Sequence, residues 1–151
     1  MTRITVVRTI AAPVDEVFAT VAHIDQYSRA VRDVVKFEFL SDARSGVGTR
    51  FRETRVMKGT EVTTELAVTE YVPNDRVRIV ADSHGTVWDT LFALRVIDDR
   101  TLLTTTMDAR SRNILPRIII SIMRTKLEKS IEMDMDAVKA YCERGTPRVE
   151  S

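Results

Sequence analysis

The stretch from residue 33 to residue 110 constrains this chain most, because strand-like segments follow one another there with only short turns between them. "VVKFEFL", "FRETRVM", "EVTTELAVTEYV", "RVRIVADS", "TVWDTLFALRVI" and "TLLTTTMDAR" are rich in β-branched and aromatic residues. The breaks "SDARSGVGTR", "PNDR", "SHG" and "DDR" have turn composition. Six strands joined so closely imply an antiparallel meander, and "RITVVRTI" at the front would add a seventh. In "VVKFEFL", Val35, Phe37 and Phe39 alternate with Lys36 and Glu38, the pattern of a half-buried strand.

Helical periodicity flanks this run. In "AAPVDEVFATVAHI", Val14, Val17, Phe18 and Val21 recur at helical spacing. Pro13 suits the first helical position, and Asp15 and Glu16 suit the positive end of the helix dipole. "DQYSRAV" reads as a second short helix with Asp25 as its N-cap. From Leu115 to Arg144 the pattern predicts one long helix of about eight turns, stopped at Gly145 with Pro147 beyond. Ile120, Met123, Leu127, Ile131, Val138 and Tyr141 share one direction on it, as a core stripe would.

Composition narrows the class. The 151 residues suit one domain, 1–151, and 44% hydrophobic with 30% charged residues is globular, not disordered. A net charge of +1 provides no global field for nucleic acid, so none is expected as a partner. Cys142 stands alone, "MTRITVVRTI" has no apolar leader core, and "ILPRIIISIM" is too short to span a bilayer. A cytoplasmic protein is the expectation. There is no nucleophile elbow, Walker loop or zinc spacing. "GVG" reads as a tight turn, His23 and His84 as unpaired, and "EMDMD" as no metal site, so neither metal nor cofactor is expected.

The element order resembles the SRPBCC or START-like superfamily, and most closely its polyketide cyclase/dehydrase and lipid-transport group. The residues that carry the likeness are "IAAPVDEVFATVAHIDQY", "SGVGTRFR", "VTEYVPNDRV" and the long terminal helix. "QYSRAV" departs from the tryptophan many relatives carry after the first helix, which bears on the lip of the pocket. The resemblance implies an α+β helix-grip fold. Its seven-stranded curved antiparallel sheet wraps a long C-terminal helix, two short helices follow the first strand, and a deep apolar cavity lies between sheet and helix. Members bind lipids, polyketides, quinones or hormones, and a minority catalyse cyclisation, dehydration or hydrolysis. Such likeness speaks to fold more than to chemistry.

Within that frame Asp134 is the irregularity. It lies on the apolar face of the long helix, and its neighbours at three and four residues are Ser130, Ile131, Ala137 and Val138. The other acids there have cations at that spacing: Glu128 has Arg124, Glu132 has Lys129, and Asp136 and Glu143 have Lys139. A buried lone carboxylate is costly. Asp134 therefore meets a sheet arginine or backbone N–H, a ligand, or solvent. "TRFRETR" is mixed on both faces, so it is either a wet edge strand or a wall of a polar cavity. If the Phe51 parity faces inward, Glu53 and Arg55 enter the pocket and Arg55 becomes a partner for Asp134. Trp88, Thr90, Phe92 and Leu94 share a face, and Tyr71 beside Pro73 would sit at the rim.

The ligand-binding candidates are therefore Phe51, Arg55, Trp88, Thr90, Phe92, Met123, Leu127, Ile131 and Asp134, and the catalytic candidates are Asp134, Glu53 and Tyr71. The leading expectation is binding, alone or together with transport, of a hydrophobic small molecule such as a lipid, quinone or polyketide in an internal cavity. The alternatives are a cyclase/dehydratase using a cavity carboxylate, and a non-enzymatic interaction module. Arg110, Arg112, Arg117, Arg124, Lys126 and Lys129 gather among Ile114, Leu115, Ile118, Ile119 and Ile122. That cluster leaves a solvated basic face, peripheral membrane contact through 110–129, or a homodimer contact open, with a monomer equally compatible.

Overall fold

A computed structural model describes residues 1–145. The chain runs β1 (Thr2–Ile10), α1 (Val14–Ala22), α2 (Ile24–Ala30), β2 (Val34–Phe39), β3 (Arg50–Met57), β4 (Thr60–Val72), β5 (Arg76–Ser83), β6 (Thr86–Ile97), β7 (Arg100–Ser111), α3 (Ile114–Ile122) and α4 (Arg124–Gly145). The seven strands form one antiparallel sheet in the order β1-β7-β6-β5-β4-β3-β2. β2 to β7 are thus the expected meander, and β1 closes against the last strand.

The turns account for the register. β3 and β4 pair from Met57 opposite Thr60, leaving Lys58 and Gly59 as a two-residue loop with φ of 51° and 79°. β5 and β6 pair from Ser83 opposite Thr86, leaving His84 and Gly85 at 52° and 81°. Positive φ at both loop residues matches the twist of the flanking strands, and glycine adopts it without steric cost. Inward residues then alternate, as Ile4, Val6 and Ile10 do along β1.

The core lies between the sheet and one face of α4. Leu127, Ile131, Met135, Val138 and Cys142 recur along α4 at three- and four-residue spacing and pack with Ile4, Val77 and Leu103 of the sheet and Val17 and Val21 of α1. Leu103, Val77, Val17 and Val138 are 0% exposed. Each such aliphatic side chain contributes about 1.5–3 kcal/mol by leaving water.

Five local expectations are corrected. The terminal helix is two helices broken at Met123, whose φ of −85° and ψ of 4° leave the helical range. Ile118, Ile119, Ile120, Ile122 and Thr125 surround the break, and β-branched residues are poor at holding helix. Pro13 caps α1 from just outside it, and His23 occupies the cap of α2, so Asp25 sits in the first turn. In β2 a register shift between Val34 and Lys36 turns Val34 inward and leaves Val35 51% exposed. β3 is no edge, because it pairs with β2 on one side and β4 on the other. Pro147 lies outside the described residues.

Candidate functional site

β3 decides the character of the interior. Its Phe51 parity points toward α4, which carries Phe51, Glu53, Arg55 and Met57 to the wall of a cavity of about 720 Å³. Trp88, Thr90 and Phe92 of β6 form the facing wall, with Ile79 of β5 and Met107 of β7 beside them. Ile24 and Tyr27 of α2 close one end, and Leu115 and Ile119 of α3 stand at the other. Leu127, Ile131 and Asp134 of α4 complete the lining. Met57, Leu115 and Met123 line the cavity and are 49%, 68% and 42% exposed, so the void opens to solvent between the β3–β4 hairpin and α3.

The wall is mostly aliphatic and aromatic, with neutral side chains such as Thr90, Thr105 and Ser130 among them, and its carboxylates and guanidinium gather in one cluster. Arg55 donates from Nε to Glu53 Oε1 at 3.0 Å and from Nη1 to Asp134 Oδ2 at 3.0 Å. The side chains of Arg55, Glu53 and Asp134 are 21%, 12% and 15% exposed. One guanidinium therefore stands between two carboxylates, and a fully ionised cluster carries one net negative charge. Burial pushes the Asp134 carboxyl above the ordinary aspartate range, against the opposing pull of Arg55. Burial and then the Asp134 charge push the Tyr27 phenol up, so it is a neutral hydroxyl beside the cluster. Burial works against the charge on Arg55, but the Asp134 and Glu53 carboxylates beside it keep the guanidinium protonated.

All nine ligand-binding candidates line this cavity, and so does Glu53. Met123 lines it from the break between the two helices, not from a continuous stripe. Tyr71 does not belong to it. Its hydroxyl lies 3.0 Å from His23 Nε2 and its ring packs edge-on against Phe18 at 5.2 Å, which places it in the core beside α1. Nor do Glu132 and Asp136 use the lysines expected of them: both reach Arg8 of β1, at 3.7 and 2.6 Å. Only the Lys139–Glu143 pair forms as spaced, at 3.2 Å.

Sequence reasoning missed Tyr27 and His84. Tyr27 sits three residues after Ile24 on a short helix, and that shared face was the available signal. His84 enters the lining through the β5–β6 turn, for which no local pattern exists. No group of metal-ligating side chains occurs among the described residues.

Residues 1–143 match the family described as polyketide cyclase / dehydrase and lipid transport. No curated protein sequence matches the chain. Solved structures share the fold at low identity. A START superfamily protein from Mycobacterium smegmatis is 15% identical, with a TM-score of 0.75 over 95% of this chain and 99% of that one. TTHA0849 from Thermus thermophilus is 17% identical, with a TM-score of 0.71 over 95% of both chains. The di-domain ARO/CYC BexL from the BE-7585A biosynthetic pathway is 16% identical, with a TM-score of 0.77 over 93% of this chain and 46% of that one.

Proposed function

The chain belongs to the polyketide cyclase/dehydrase and lipid transport family, within the START-like superfamily, and on that premise we propose that it binds a hydrophobic small molecule bearing an uncharged hydrogen-bonding group. The observation that carries the reading is the mostly apolar cavity of about 720 Å³, within the range of small-molecule sites, with its carboxylates and arginine gathered in one place. Apolar burial supplies affinity, and the Glu53–Arg55–Asp134 cluster with Tyr27 fixes orientation.

The charge of that cluster narrows the ligand. Arg55 is engaged by two carboxylates, so a ligand carboxylate placed against this cluster would meet net negative charge. A hydroxyl, phenol or carbonyl meets donors and acceptors there without that repulsion. Neutral lipids, quinones and polyketide-like aromatics fit; free fatty acids do not.

Native mass spectrometry of gently purified protein tests the reading: it is expected to carry an added mass released on denaturation. An apolar fluorescent probe is expected to enter the emptied cavity, and retinol to displace it far better than retinoic acid. Thr90→Phe, which fills the void, is expected to abolish uptake. Probe uptake unchanged in Thr90→Phe would refute the cavity as the site.

A second reading has its own observation. Asp134, raised by burial and open to the cavity, has the environment of a general acid or base for a cyclase or dehydratase, with Glu53 beside it. Tyr71 has no part in it. An Asp134→Asn variant that turns over a polyketide-like substrate at the parent rate would end that reading.

A further inference from the structure

We infer that α3 is a membrane-docking lid, which seats the cavity mouth on an anionic lipid surface. This rests on the hydrophobic-ligand reading and concerns how the ligand arrives. A surface helix normally turns its apolar side inward and a polar side outward, but α3 is apolar on both. Ile120 is its single buried residue, at 8% exposed. Ile114, Ile118 and Ile122 form a row at four-residue spacing and are 70%, 49% and 78% exposed. About 100° per residue puts Ile118 almost opposite the Pro116–Ile120 side that lines the cavity. One side of α3 thus walls the ligand space, and the other presents aliphatic carbon to the outside. The Met123 break separates α3 from α4, and Leu115, Pro116, Ile119 and Ile120 of α3 line the cavity.

The charge around this row selects the partner. Residues 110–129 hold six cations and one acid, Glu128, and α3 itself has no acid. The rest of the chain holds 17 cations against 21 acids, so the positive excess lies in the segment that carries α3. Arg112, Arg117, Arg124, Lys126 and Lys129 are exposed, and none forms an ion pair among the described residues. An isologous dimer would set this positive surface against itself, which is unfavourable. An anionic bilayer complements both features, taking the isoleucine row into its acyl boundary and the cations at its headgroups. An apolar ligand would then pass between bilayer and cavity beside Leu115 and Ile119 without crossing water.

Flotation of the full chain with phosphatidylcholine vesicles, with and without phosphatidylglycerol, tests this at low and high salt. The expected result is flotation with the anionic vesicles only, weakened by salt. Each of Arg117→Glu and Arg124→Glu is expected to weaken binding about fivefold or more. Ile118→Asp with Ile122→Asp is expected to weaken it at least about tenfold, while the distant Lys36→Glu leaves it unchanged. No flotation at low salt, or flotation undiminished in the α3 variants, would overturn the proposal. So would a homodimer that the double aspartate variant dissociates in a protein that ignores vesicles. Probe uptake in vesicle-free solution reads the cavity separately. Uptake without flotation refutes the lid alone, and flotation without uptake refutes the ligand reading alone.

Discussion

Arg55 holds together charges that would otherwise not tolerate the interior. Its guanidinium is bonded to Glu53 and Asp134 across 79 positions of sequence between Arg55 and Asp134, in surroundings where each group is at most about one-fifth exposed. Removing one member of such a cluster leaves uncompensated charge, so Arg55→Leu is expected to destabilise the fold by about 3 kcal/mol, read from urea unfolding. Asp134→Asn should act differently, because it relieves an excess of negative charge. The folded-state pKa of Asp134 lies above its unfolded value, so the native state binds the proton more tightly. Stability from this group therefore falls as pH rises from the ordinary aspartate range through the raised value. The Asn variant is expected to lose that slope, and a slope identical to the parent's would show that Asp134 titrates normally. Asp108, held low by Arg3, contributes in the opposite sense and loses its stabilisation as pH falls. The Arg55 partnership was one of the options legible at Asp134, because no cation stood nearby on its helix. Tyr27 was legible only as sharing a helix face with Ile24, which marks it as inward but does not separate a cavity wall from packed core.

At the scale of elements, turn chemistry and helix breaks set the outline of the site. The β5–β6 loop needs positive φ at Gly85, and a Cβ added there would meet Asn113 Nδ2 at 3.8 Å, an ordinary contact. Gly85→Ala is therefore a test of backbone strain alone, expected to cost about 1–2 kcal/mol. A thermal unfolding midpoint unchanged within error would count against the assigned turn. The strands and their hairpins were legible because period-two patterning and two-residue turns are local. The break at Met123 was not. Helical periodicity continues through it, while in the structure α3 lines the cavity and α4 packs against the core. Strand β3 was ambiguous for a related reason. Both of its faces mix apolar and charged residues, so alternation alone could not say which one is inside.

For the whole molecule, the sheet and α4 enclose two different interiors. Near α1 they meet in solid core around Leu103, Val77 and Val138, each 0% exposed. Toward α3 they part around the cavity. The two regions should respond differently to the same kind of truncation. Leu103→Ala removes close-packed contacts and is expected to cost about 2–5 kcal/mol. Ile131→Ala enlarges a space that already exists, so about 1 kcal/mol is expected. Equal costs by chemical denaturation would mean that Ile131 faces packed atoms and that the cavity is smaller than described. Truncation at Ile131 should also weaken apolar probe binding, which truncation at Leu103 should not.

The amino-acid sequence by itself determined the order of elements, the antiparallel meander and the inward face of β6, because each depends on neighbours a few residues apart. It also marked Asp134 as a charge without a local partner. Only the tertiary structure decided that β3 is an interior strand with its Phe51 parity inward, that Arg55 meets Asp134, and that the terminal helix breaks over an open mouth. Those outcomes depend on groups brought together from distant parts of the chain, where close packing and burial choose between faces that local patterning leaves equivalent.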